Sequence, residues 1–204
     1  MNMKQQRMDN LSDGIFAIVM TLLVLELKVP VIVDFSPASL LNHFIEFIPY
    51  LMSYLTSFAV LYSFWHSHHF IASVFAKNIT VKLSSINALF LFFIGLIPFT
   101  SHLLGEYYMH PFAIATFALN IIMIGATLFY MRQYIKHTKD IENVTFTRTE
   151  EIHAQARILV PVFCSVCAIV VSFYAPYVAL AILTLGILFN FSRKSSSLFN
   201  WLHK

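Results

Sequence analysis

Charge-free stretches of membrane-spanning length recur along this chain, and no other feature limits its fold so tightly. Phe47–Trp65 runs 19 residues without Asp, Glu, Lys or Arg, Leu83–Ser101 another 19, and Pro111–Met131 21. A helix crosses the ~30 Å of hydrocarbon in about 20 residues, so each stretch reads as a transmembrane span. A longer uncharged run, Ile158–Ser192, is interrupted at Ala175-Pro176 and has basic residues at both ends, Arg157 on one side and Arg193 with Lys194 on the other. Basic residues at both ends favour a hairpin of two short spans; one long tilted helix is the alternative. Composition closes off soluble folds. Of 204 residues 58% are hydrophobic and 11% charged, whereas an ordinary globular chain carries about 25% charged residues. A single soluble core of this size cannot hide that much apolar surface, 21 Phe included. The expected fold class is an all-α integral membrane protein. A soluble enzyme, a secreted disulfide scaffold and a disordered tail are excluded.

The first span is unusual. Only 12 uncharged residues, Gly14–Leu25, separate Asp13 from Glu26, which is roughly 18 Å of helix. To cross the bilayer this helix carries an acid or Lys28 to the membrane boundary, where ionisable side chains face protein or water rather than lipid. Six spans are expected, at about 11–30, 44–66, 83–104, 111–132, 157–174 and 177–192, forming one transmembrane domain over 1–204. A polar linker at about 133–156 joins the fourth span to the fifth. With this layout 12 of the 13 basic residues lie on one side, Lys28 being the exception. The positive-inside rule then puts both termini in the cytoplasm, on a multi-pass protein of the cell membrane. An initial span that is retained fits better than a cleaved signal peptide, because no small-residue cleavage site follows it.

Motifs for catalysis are not apparent: the five glycines form no phosphate loop, and no HExxH occurs. The chain is therefore expected not to be an enzyme and to carry neither cofactor nor metal. Cys164 and Cys167, at i and i+3 on the fifth span, read as small packing residues. His66, His68 and His69 cluster just after Trp65, but a metal site needs three or four converging ligands. Buried hydrogen-bonding histidines fit better, and a pH-sensing role stays open.

On span 1, Ile18, Leu22 and Leu25 fall within about 60° of one another at 100° per residue, with Leu11 and Ile15 near the same stripe. Asp13 lies about 140° from Ile18. Periodicity alone fits a lipid-facing stripe with Asp13 paired to a cation. The residue order adds more. Arg7-Met8-Asp9-Asn10-Leu11-Ser12-Asp13-Gly14, followed by an apolar run through Thr21, resembles the first helix of the transmembrane protein 175 family, whose signature is Arg-x-x-x-Phe-Ser-Asp-Gly. Arg7, Ser12, Asp13 and Gly14 match, and Leu11 stands at the Phe position. Trp65-x-x-His68-His69 is similar to a second family marker, and Asn87 fits a polar position in the third span. One six-span unit is similar to the prokaryotic members of that family.

The resemblance implies a homotetrameric potassium-permeable channel in the lipid bilayer, passing monovalent cations and binding no nucleic acid. By motif position four copies of span 1 would line the pore, with Ile18, Leu22 and Leu25 as apolar constricting layers and Thr21 beside them. Arg7, Ser12, Asp13 and Gly14 with Trp65, His68, His69 and Asn87 would brace that helix from behind. A proton-coupled small-solute transporter using Asp13 and the histidines is the competing function, and a membrane scaffold without conduction a third.

Overall fold

A computed structural model of the chain describes residues 5–27, 35–71, 80–138 and 148–188, with side chains left out at 5 and 148–154. Lys4, Lys28, Lys77, the middle of the linker, and Arg193, Lys194 and Lys204 lie outside the described residues. Helix α1 covers Gln5–Leu22 and tightens into a 3₁₀ segment, Leu23–Glu26. Then come α2 (Pro37–His69), α3 (Val81–Gly95), α4 (Ile97–Glu106), α5 (Pro111–His137), α6 (Arg148–Ser172) and α7 (Pro176–Leu188). Among the described residues five helical stretches are long and apolar enough to cross a membrane, with α3 and α4 counting as one, and α7 is a shorter apolar helix.

Local chemistry sets the helix starts. The Ser36 hydroxyl accepts from the Ser39 N–H, Thr80 accepts from Leu83, and His110 Nδ1 accepts from Phe112. Each side chain satisfies an amide that the first turn would leave without a partner. Pro37 and Pro111 open α2 and α5, where a missing N–H costs nothing. Two interruptions have similar causes. Leu96 separates α3 from α4, next to Gly95 and two residues before Pro98, which has no N–H to give the carbonyl four residues back. The long apolar run after Ile158 breaks at Phe173–Ala175, just before Pro176, and α7 returns along α6.

Some helices exceed the hydrocarbon thickness. The 33 residues of α2 make roughly 50 Å of helix, so its first turns, with His43 and Glu46 in contact at 3.4 Å, project beyond the ~30 Å core. The helix α5 likewise runs on through Arg132 and Lys136 to His137.

Packing in lipid relies on close contact and interhelical hydrogen bonds, because lipid tails are as apolar as leucine. Both devices are present. A Cβ on Gly125 would collide with Val162 of α6, and one on Gly186 with Cys164, so these glycines allow α5 and α7 to approach α6 closely. Cys164 thus sits in a helix–helix contact. Between α2 and α4, Ser53 donates to the Ser101 carbonyl at 2.5 Å and Ser57 to the Ser101 hydroxyl at 2.8 Å. Phe16, Phe64, Phe90 and Phe117 are fully buried at the centre of the bundle.

Candidate functional site

Helix α1 has two unlike faces. Met8, Ser12, Phe16, Val19 and Leu23 are buried, recurring at i+4, i+4, i+3 and i+4 along one side. That side packs on α2, α3 and α4. Leu11, Ile18, Leu22 and Leu25 are exposed on the other, Ile18 at 59% and Leu25 at 68%. Ile15, at the edge, is half-buried against the core. Thr21 is exposed and gives its hydroxyl to its own helix, at the Ala17 and Ile18 carbonyls, so its methyl is what remains to face outward.

A directional chain of hydrogen bonds runs behind the helix. The Ser12 hydroxyl donates to the Met8 carbonyl at 3.0 Å, so its oxygen can only accept from elsewhere. Asn87 therefore offers Nδ2 to Ser12, at 3.1 Å, and turns Oδ1 to His68, 2.7 Å from its Nε2. His68 must carry its proton on Nε2. Its ring is buried and stacks on Phe90 at 5.0 Å, with Phe16 closing the cluster at 6.3 Å from the imidazole. Nearby, Trp65 Nε1 donates to Asp13 Oδ1 at 2.9 Å. This second contact is at an exposed edge.

His68 diverges from His66 and His69 because it lies about 160° from the first and about 100° from the second at 100° per residue, whereas those two, at i and i+3, share a side of the helix. His66 stacks on Tyr62 at 6.5 Å and His69 on Trp65 at 5.9 Å, while His68 turns inward. His69 thus meets the Trp65 ring beside the cluster. Arg7 does not join it. That residue is exposed and lies about 20° from Ile18 at 100° per residue, on the outward stripe rather than behind the helix. Gly14 is exposed too, and a Cβ there would meet nothing among the described residues within 4 Å. Leu11, at the family's Phe position, is likewise outward, so it gives up no packing contact inside the subunit.

Sequence reasoning missed Phe16 and Phe90, although Ser12, Phe16, Val19 and Leu23 repeat as regularly as the outward stripe. It also missed a contact at the other end of the helix. Glu26 Oε2 lies 2.9 Å from His102 Nδ1 of α4, both side chains 32% exposed. Such a pair is ionic only with the imidazole protonated. Ser12, Asp13 and Glu26 thus all make contacts with neighbouring helices of the same subunit, and the outward face keeps its leucines and isoleucine.

Residues 7–98 match the family model described as the endosomal/lysosomal potassium channel TMEM175, a stretch that includes the whole hydrogen-bonded cluster. A potassium channel of Chamaesiphon minutus is 38% identical over 105 residues, 52% of this chain and 51% of that protein. This chain thus aligns with about half the length of that relative. A potassium channel of a Chryseobacterium species is 28% identical over 178 residues, 87% of this chain and 88% of that one. In three dimensions the chain is similar to the crystal structure of a lysosomal potassium-selective channel TMEM175 homolog from Chamaesiphon minutus. The TM-score is 0.76 with 25% identity, over 91% of this chain and 95% of that one. In the motif of its first helix and in its bundle as a whole, the chain is thus similar to the TMEM175 family of potassium channels.

Proposed function

We propose that this protein is a potassium-permeable cation channel of the cell membrane, with both termini cytoplasmic, that conducts passively through a pore lined by α1 of four identical subunits. The observation carrying this reading is the division of labour on α1. Its buried and hydrogen-bonding residues join neighbouring helices of its own subunit, while Ile18, Leu22 and Leu25 form a stripe left exposed among the described residues. Four such stripes facing one another would stack apolar rings along ~10 Å of axis. Rings of branched side chains limit ion flux by steric block and dewetting. Selectivity in such a device follows the cost of stripping water from the ion, which is lower for potassium than for the smaller sodium. No cofactor and no catalytic step enter this reading, and the bracing residues Ser12, Asp13, Trp65, His68 and Asn87 hold the helix rather than touch the ion.

Purified protein in liposomes with a potassium gradient should give voltage-driven flux independent of a proton gradient, and single cysteines at 18, 22 and 25 should cross-link between subunits. Flux that requires a proton gradient would replace the channel with a coupled transporter. Inert cysteines at all three positions would move the pore to another face.

Gly14 adds a separate expectation. Nothing among the described residues crowds the place of a Cβ there, so its value in this reading is close approach of the four helices. Gly14→Val should leave the subunit folded, with unchanged helical content, and shift the tetramer toward monomer on sizing in detergent. An intact tetramer with parent-level flux would remove Gly14 from the interface.

A further inference from the structure

A cavity of about 260 Å³ opens between α2, α4 and α7, at the end of the bundle that carries Tyr107, Tyr108, Tyr174 and Tyr177. No residue of α1 lines it. Pro49 and Met52 of α2, Leu104 of α4, and Leu180 and Leu183 of α7 make an apolar wall. The hydroxyls in that wall already have partners. Ser53 donates to the Ser101 carbonyl, Thr184 donates to the Leu180 carbonyl at 2.9 Å, and Thr56 pairs with Thr184 at 3.4 Å. Water needs two to four polar partners to settle in a cavity, and away from the tyrosines this wall offers it few. The cavity is also roomier than the ~150 Å³ apolar cavity that takes up benzene-sized guests. All three helices belong to the apolar bundle, and the side chains exposed at the cavity's mouth, Ile48, Met52 and the Tyr177 ring, are largely apolar.

We propose that this cavity is a binding site for one acyl chain of a membrane lipid. The tyrosines mark the headgroup level, where their rings are apolar and their hydroxyls meet water. Tyr177 and Tyr108 line the cavity itself, and Ile48, Met52 and Tyr177 are partly exposed at its rim. A lipid with its headgroup at the tyrosines would thread its chain inward between α2 and α7. The chain would supply the contacts that three helices leave unmade there, in a bundle whose cohesion depends on close packing. The site is separate from the proposed pore and stands or falls without it.

Photolabelling tests this directly on the detergent-purified full chain, with a long-chain fatty acid carrying a mid-chain diazirine as probe. Peptide mapping should show saturable labelling of cavity residues such as Met52 and Leu104, several-fold above Phe163 and Val170, which are exposed on α6 away from the cavity. Unlabelled phosphatidylcholine should compete at the cavity residues only. Leu180→Trp, which fills the space from a half-buried position, should lose the cavity labelling while Phe163 and Val170 label as before. Should Leu180→Trp fold poorly, competition on the unaltered protein decides alone. Labelling at Met52 and Leu104 that is no stronger than at Phe163 and does not compete would overturn the proposal. So would disulfide cross-linking of a Met52→Cys variant to a second copy, because a neighbouring subunit would then occupy the cavity.

Discussion

Ile18→Asn is expected to raise potassium flux by about tenfold, equivalent to roughly 1.4 kcal/mol off the barrier, and to narrow the preference for potassium over sodium. At 59% exposure the Ile18 side chain leaves the subunit's own packing, while Phe16 and Val19 on either side are buried. The change therefore disturbs little within the subunit, and Asn and Ile have similar helix propensities. In a ring of four, the amides would offer water and ions the hydrogen-bonding groups that isoleucine lacks, which would relieve dewetting at that apolar layer. Discrimination falls for the same reason, because an ion that keeps its water passes without showing its size. Parallel flux assays in liposomes, one with a potassium and one with a sodium gradient, read both quantities. Ile18→Leu, which keeps the ring apolar and branched, should stay close to the parent. If Ile18→Asn weakens the protein yet leaves flux and ion preference unchanged, that face meets lipid instead of a pore.

Much of α1 was legible because one periodicity governs both its faces. Counting 100° per residue groups Ile18, Leu22 and Leu25, and the same count groups Ser12, Phe16, Val19 and Leu23 on the buried side. Asn87 was marked only through the family resemblance, as a polar position in the third span. Its actual partners, Ser12 and His68, are 75 and 19 residues away in sequence, and spacing carries no information about such pairs. The Glu26–His102 contact was hidden for that reason. Arg7 was misplaced for another. A motif groups residues by order, whereas the helix separates Arg7 from Ser12 by about 140°. Helix ends were hard to place by charge alone, since a backbone hydrogen-bond ladder continues through Arg132 and Lys136 once it has left the bilayer. The break at Leu96 is invisible to a charge count because the run around it, Leu83–Ser101, carries no charge.

The bracing cluster sets the largest expected loss of stability. Asn87→Leu keeps the side chain's approximate size and removes both its donor and its acceptor. His68 Nε2–H then has no acceptor, and Ser12 loses the bond it accepted, in a buried site that water does not readily reach. A buried group left without its partner costs about 1–3 kcal/mol, while measured interhelical hydrogen bonds in one membrane protein average about 0.6 kcal/mol. The two bonds together give an expected loss of about 1–4 kcal/mol, read as a lower unfolding midpoint of the detergent-solubilised protein. Asp13→Asn should cost less than about 1 kcal/mol, because the pair is exposed and an amide oxygen can still accept from Trp65. The decisive comparison is a double variant. Replacing both members of a buried hydrogen bond by apolar groups is far cheaper than replacing one, and a phenylalanine at 68 can still stack on Phe90. Asn87→Leu with His68→Phe should therefore unfold later than Asn87→Leu alone, even though it carries one more substitution. If the double variant is the weaker of the two, the bond from His68 to Asn87 is not what holds the back of α1 in place.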